Sequence, residues 1–179
     1  MTAVLEPMKV VVALKELNLI LKKMTTTDVR ITEISAHLSN EVPRLGSEQA
    51  HMDKMKELTQ SNLDLAERYL ALKRALDKTN LATSVTITGK TYTVTDLLNL
   101  RRKLGTPIIA TFQSMNDEDA RRRVGHATSS RVQGDAPITV VRYYDDDKRY
   151  EAIAEWQEFL GHIDGKLEVV NAVTDLIIE

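Results

Sequence analysis

The sequence predicts a mainly α protein: a long antiparallel helical hairpin plus further helices, packed like a bundle or coiled coil, with a small antiparallel β element. Three observations carry this expectation. Apolar residues recur at alternating four- and three-residue steps over long stretches. One short middle segment switches to period two. Aromatic residues make up only 4% of the 179 residues. A 3.5-residue repeat is the seam of a helix packed along a second helix, whereas alternation at period two marks a strand.

The first seam runs Val10, Leu14, Leu17, Leu21, Met24, Ile31, Leu38, widened by Val12, Ile20 and Ile34 and interrupted by Asp28 and Ser35. Thr25-Thr26-Thr27 is weak helix material, so a local bend is expected there. Asn40 to Gly46 breaks the pattern, since Pro43 disfavours helix at Val42 and Gly46 permits a left-handed turn. Ser47 is placed to cap the next helix, with Glu48 against the positive end of its dipole. That helix carries Met55, Leu58, Asn62, Leu65, Tyr69, Leu72 and Leu76 in unbroken register. Two helices of ~30 residues, each ~45 Å long, joined by a short loop make a helical hairpin.

Ser84 to Val94 alternates β-branched or aromatic residues around Gly89-Lys90, which reads as a β-hairpin. Thr95-Asp96 then looks like a cap, opening a helix that Gly105-Thr106-Pro107 breaks or kinks. A second piece, Ile108 to about Val124, places Ile108, Ile109, Phe112 and Met115 on one face. Gly125 to Ala136 reads as loop, and Pro137 to Tyr144 as a strand able to join the hairpin. Asp145-Asp146-Asp147 caps a final helix with its seam at Ile153, Trp156, Leu160, Ile163, Leu167 and Val170, reaching towards Ile177. Gly161 and Gly165 weaken that helix, so close packing or partner contacts are expected to compensate. The expected organisation is one elongated domain over 1–179: helical hairpin 7–80, β-hairpin 84–94, broken helix 95–124, loop and strand 125–144, C-terminal helix 146–177. An elongated chain buries less by itself than a compact one, which favours neighbours.

Composition and motifs exclude more chemistry than they suggest. The hydrophobic share of 42% and charged share of 28% fit an ordered globular chain. A formal net charge of −2 supplies no field for nucleic-acid binding. The absence of cysteine removes thiolate nucleophiles, thiolate metal sites and disulfides. The apolar run Met8 to Leu14 is preceded by Glu6 and interrupted by Lys9, unlike a signal peptide. No stretch approaches ~20 apolar residues. Gly89-Lys90-Thr91 resembles the end of a phosphate loop, but Ser84 stands where the first glycine belongs and a strand follows the threonine.

The four histidines, His37, His51, His126 and His162, are expected at exposed helix ends; His37 and His51 lie near the hairpin loop and are close enough to approach each other. Asp145 to Asp147 lacks the glycine and terminal glutamate of a calcium loop. Asp117, Glu118 and Asp119 precede Arg121, Arg122 and Arg123 at helical pairing distance, which reads as a self-neutralising face. Arg101 and Arg102 suit a helix C-terminus. These five arginines are the candidates for an anion or a protein partner. Asn62 is a polar residue on an apolar seam, a pattern that fixes register or oligomer state. Asn171 poses the same question, and Tyr69, Trp156 and Leu160 complete the candidate oligomer contacts. No catalytic residue, cofactor site or metal site is expected.

Three segments together resemble a family of small helical proteins of bacteria and their phages, some of them labelled septicolysin. They are Leu76 to Asn80 with its Thr79-Asn80 close, Thr88 to Thr91 around Gly89, and Thr95 to Leu104 with Arg101-Arg102. Ile163 to Leu167 followed by Asn171 to Leu176 is similar to that family's ending, although Ala172 stands where members often carry Trp. Gly105-Thr106-Pro107 interrupts a helix that the family would keep continuous. The resemblance implies a helical, self-associating fold and carries over no catalytic residue. The expectation is a non-enzymatic structural or assembly protein acting as a homo-oligomer, most specifically a phage virion component, made in the cytoplasm and partnered by itself and other structural proteins. The alternatives are a toxin-like, membrane-acting protein, as the label suggests, or a small-molecule enzyme using Arg101, Arg102 and Arg123 on an anion.

Overall fold

The computed structural model describes residues 6–128 and 138–178. The protein is mainly α with one small two-stranded antiparallel sheet. In chain order the elements are α1 (Val10–Ile34), α2 (Glu48–Ala82), β1 (Ser84–Ile87), β2 (Lys90–Thr93), α3 (Val94–Asn99), a π-helical turn (Leu100–Leu104), α4 (Gly105–Gln113), α5 (Glu118–Thr128) and α6 (Asp146–Val173). They divide into two compact units, residues 1–84 with 168–179, and residues 85–167.

The first unit is built on α1 and α2. Its core comprises Val10, Ala13, Leu17 and Ile20 of α1, Leu72, Ala75 and Leu76 of α2, and Leu176 from the C-terminal segment. The seam expected on α1 is rotated: Ala13 and Ile20 are buried, while Leu21 is about half exposed. A straight helix drifts about 20° per heptad from a strict 3.5 repeat, so the buried stripe shifts one position along. α1 also ends at Ile34, and Leu38 lies beyond it, exposed in the connection to α2. Ser47 caps α2 as expected: its Oγ accepts the Ala50 N–H at 3.1 Å. Gly46 adopts the left-handed conformation that the turn needs.

Two polar pairs join the helices. Asn62 Nδ2 donates to Asp28 Oδ1 at 2.9 Å. Arg68 Nε donates to Glu16 Oε1 at 2.8 Å. Asp28 and Asn62, each a polar interruption of an apolar seam, therefore meet each other, setting the antiparallel register within one chain.

The final helix stops at Val173, short of the expected Ile177. Thr174 to Ile178 instead lies extended beside the start of α1. The Val10 N–H donates to Thr174 O at 3.0 Å, and the Leu176 N–H to Met8 O at 2.8 Å. Lys9 Nζ reaches both Val173 O (2.9 Å) and Asp175 Oδ1 (2.8 Å). Leaving the helix buries Leu176 in the core, which a further helical turn would not place there. Thr79, almost wholly buried, holds this segment from α2: its Oγ1 donates to Ala75 O and accepts the Ile177 N–H, both at 2.8 Å.

The second unit begins with the β-hairpin. Thr88 and Gly89 form its two-residue turn, both at positive φ (49° and 79°). That is the pattern of a type I′ turn, one residue earlier than the Gly89-Lys90 expectation. Thr93 both ends β2 and caps α3, so the cap is not Thr95-Asp96. Thr93 Oγ1 accepts the Asp96 N–H, and Asp96 Oδ2 accepts the Thr93 N–H, a reciprocal capping box. Thr93 Oγ1 also donates to Asp96 Oδ2 at 2.7 Å, and this bond, ahead of the one from the Thr93 N–H, holds the Asp96 carboxyl below the usual carboxylate range.

Gly105 and Pro107 neither stop the helix nor split it. The π turn absorbs them: the Gly105 N–H donates to Leu100 O, five residues back. A proline in a regular helix clashes with the carbonyl four residues earlier, and the widened turn relieves that demand. Gly105 also packs closely against α6, where an added Cβ would lie 2.7 Å from both Leu160 methyl carbons. The real break falls later, at Ser114–Asp117, so Ile108 to Val124 is not one helix. There Asn116 binds its own neighbours: Nδ2 donates to Ser114 O, and Oδ1 accepts the Glu118 N–H. An asparagine bonded in this way favours a turn over helix. α5 continues through Gly125 to Thr128, so the first four positions of the expected loop are helical; its positions 129–136 lie outside the described residues.

Residues 138–144 form no strand. Val141 and Tyr143 project into water, Tyr143 at 96% exposure, so the alternating pattern covers no core. Arg142 is instead tied to Asp117 and Asp146. Asp145 caps α6 as expected: its Oδ1 accepts the N–H groups of Asp147 (2.9 Å) and Lys148 (3.2 Å). Among the described residues of this unit, Val85, Ile87, Val94, Leu97, Ile163 and Leu167 are the buried apolar ones.

Candidate functional site

The second unit contains a groove of about 410 Å³ between β2 and α6. Its two walls follow from two periodicities. In a two-residue hairpin Ile87 stands opposite Lys90 and Val85 opposite Tyr92, all on one sheet face. Thr86 and Thr91 occupy the other, their hydroxyls 3.2 Å apart. Lys90 and Tyr92 thus share the face whose β1 residues are buried. On α6, Glu155, Glu158, Phe159 and His162 recur at three- and four-residue steps, one helical face, with Trp156 beside them.

Aromatic rings floor the groove. Trp156 and Phe159 meet edge to face, with centroids 5.6 Å apart and planes at 85°. Tyr92 stands 6.1 Å from Phe159. Such edge and tilted contacts are the preferred geometry of aromatic pairs. Charges flank the rings: Lys90 on the strand, Glu155 and Glu158 on the helix. Glu158 Oε1 lies 3.8 Å from His162 Nε2. The chain carries one Trp, two Phe and five Tyr, so three of its few aromatic residues collect at this place.

A second polar cluster links the α4–α5 corner to the start of α6. Asp117 accepts from Arg142 Nε at 2.8 Å and pairs with Arg121 at 2.8 Å. Arg142, ahead of the other causes, holds the Asp117 carboxyl below its usual range, and Asp117 raises Arg142 in return. Arg149 Nη1 donates to Met115 O at 2.8 Å, its Nη2 lies 3.1 Å from Asp146, and its guanidinium sits 4.4 Å from the Tyr150 ring centroid. These side chains bond chiefly to one another and to the backbone of the same corner, while Arg149 Nε is buried without a partner among the described residues.

The structure distributes the residues singled out from the sequence as follows. Arg101 Nε donates to both carboxylate oxygens of Asp164, at 2.7 and 2.9 Å, tying the π turn to α6 and raising the Arg101 pKa. Arg102 is exposed. Arg121 pairs with Asp117, Arg122 with Asp119, and Arg123 Nε donates to Asp119 O at 3.4 Å. Two of the three arginines thus pair with a carboxylate three or four residues back, Asp117 just ahead of α5 and Asp119 within it. Tyr69 packs against the core of the first unit. Asn62 answers Asp28, as described above. Leu160 packs against Gly105, and Trp156 floors the groove. Asn171 is half-buried on the last turns of α6.

His51 is buried, against expectation. Its Nδ1 stands 3.0 Å from Ile34 O, and its Nε2 accepts the Leu45 N–H at 3.1 Å. A neutral ring with its proton on Nδ1 makes both bonds, pinning the connection between α1 and α2. His37 does approach it, at 5.8 Å between centroids, but both His51 nitrogens are engaged. Among the described residues, no group of three or more His, Asp or Glu is arranged to hold a metal ion.

Sequence reasoning passed over Lys90, Tyr92, Glu155, Glu158 and Phe159 as site residues. The strand alternation and the helical spacing place each set on one face, but nothing in the sequence brings the two faces together. Also among the described residues, no helix is long and apolar enough to cross a membrane. Compared with family models, curated proteins and solved structures, the chain matches none of them.

Proposed function

We propose that this chain is a non-enzymatic structural or assembly protein that acts as a homo-oligomer. The observation that carries the reading is a set of apolar side chains left in water along the helical hairpin. Val12 and Leu19, one heptad apart on α1, are 47% and 50% exposed. Leu63 and Leu70, one heptad apart on α2, are 57% and 56% exposed. Isolated exposed leucines are ordinary, but heptad spacing puts each pair on one stripe, the arrangement a further helix packs against. The core of this unit uses other faces of both helices, so these stripes are surplus to the hairpin itself.

The specific version, a phage virion or assembly component made in the cytoplasm and built into a particle with other structural proteins, rests on the resemblance to the septicolysin-labelled family. Light scattering on the purified chain, followed by electron microscopy, tests the proposal. The expected species is a defined multiple of 20.2 kDa at micromolar concentration. The pair Leu63→Glu and Leu70→Glu should dissociate it while leaving the helical circular dichroism intact. A native protein that stays strictly monomeric overturns the reading.

A further inference from the structure

We propose that the groove between β2 and α6 is a binding site for a small organic cation, a quaternary ammonium group carried on a short apolar body. The volume, about 410 Å³, falls within the range of small-molecule sites. The lining matches the chemistry of such a ligand in two independent ways. Tyr92, Trp156 and Phe159 offer ring faces and edges to its methyl groups, and a quaternary ammonium is attracted to aromatic faces through their quadrupole. Glu155 and Glu158 stand on the same α6 face as Phe159 and line the groove with all three rings. Two carboxylates against the single Lys90 leave the groove net negative.

A primary ammonium carries a tighter hydration shell, and only the rim carboxylates, not the Trp156 and Phe159 rings, can replace that water. A carboxylate or phosphate ligand would meet two like charges. Lys90 opposes the bound cation, so its removal should tighten binding; this sign separates the cation site from an anion site built on the same lysine.

Trp156 is the sole tryptophan of the chain and lies in the groove, so its fluorescence reports occupancy directly. The titrants are choline, its uncharged isostere 3,3-dimethylbutan-1-ol, and butyrate. Choline should produce a saturable change. The uncharged isostere should bind roughly tenfold more weakly, the factor expected from a cation–π and carboxylate contribution of this kind. Butyrate should produce no saturable change. Glu155→Gln with Glu158→Gln should weaken choline several-fold, and Lys90→Met should strengthen it. Both variants alter exposed side chains, and an unchanged circular dichroism spectrum checks that they fold. No saturable response to choline, an equal response to the isostere, or an affinity unmoved by the glutamate variants each overturns the proposal.

Discussion

Thr79 is a small residue with a large structural duty. Almost fully buried on α2, its hydroxyl donates to Ala75 O and accepts the Ile177 N–H. Valine has the same shape and neither function. Thr79→Val should therefore destabilise the first unit by about 1–3 kcal/mol, the penalty of leaving a buried donor without its partner. Denaturant unfolding measures it, and a midpoint equal to that of the native protein would contradict this account of the C-terminal segment. Asp117 makes a different prediction. Its folded-state pKa is depressed, chiefly by the Arg142 hydrogen bond. A depressed carboxylate contributes stability that is present above its unfolded value, about 3.9, and lost as pH falls through the lower folded value. The corner joining Ser114–Asp117 to Asp146 and Arg149 should thus be unaffected by pH above about 4 and loosen below it. The Asp117 side-chain carboxyl resonance in an acid titration reports this directly, and a midpoint at or above the ordinary value would refute it.

At the scale of elements, the glycines of the second half act in opposite senses. Gly105 faces Leu160, and a Cβ there would come within 2.7 Å of its methyl carbons and 3.1 Å of Leu100 O. Gly161 and Gly165 have nothing within 4 Å of an added Cβ, so of the two compensations expected, close packing or partner contacts, close packing is absent at these positions. Alanine at either of them should stabilise α6 by up to about 1 kcal/mol through helix propensity. Gly105→Ala gains the same propensity but must displace Leu160 or bend the π turn, at about 1–3 kcal/mol for overpacking. Thermal unfolding should therefore rank Gly161→Ala above the native protein and Gly105→Ala below it. The reverse order would mean that Leu160 yields freely. The π turn is the element-level counterpart: one widened turn lets a single helical path carry Pro107 and keeps Gly105 against α6.

On the scale of the whole molecule, the chain has two cores, one in each compact unit. The first is closed by both ends of the chain, since Met8 to Val10 and Thr174 to Leu176 bond to each other. Its surplus apolar stripes carry the oligomer reading. The second holds the aromatic groove within its own residues, so assembly and cation binding are separable by experiment: a monomer that still binds choline would defeat the first proposal alone.

Much of the α2 helix, the β-hairpin and the caps at Ser47 and Asp145 was legible in the sequence, because each depends on local chemistry: apolar period, turn residues, an oxygen acceptor before a helix. The internal pairing on α5 was legible for the same reason, since its charges stand three and four residues apart. The misread elements have a common cause. The strand expected at Pro137 to Tyr144 has the right alternation, but its described residues 138–144 meet no partner edge, and a strand exists only where another strand or a core receives it. The C-terminal helix has the apolar residues to continue past Val173, but burying Leu176 beside Val10 requires extended chain. His51 and Asn62 took their meaning from Ile34 and Asp28, 17 and 34 residues away, which the hairpin brings back. The sequence by itself determined the helical class, the hairpin turns and the neutralised charge runs, since these are decided within a few residues. Only the tertiary structure decided which faces meet: Asn62 on Asp28, Thr79 on Ile177, and the Lys90–Tyr92 strand face on the Glu155–Phe159 helix face. Those contacts depend on long-range packing, and periodicity says which residues share a face but not what the face will touch.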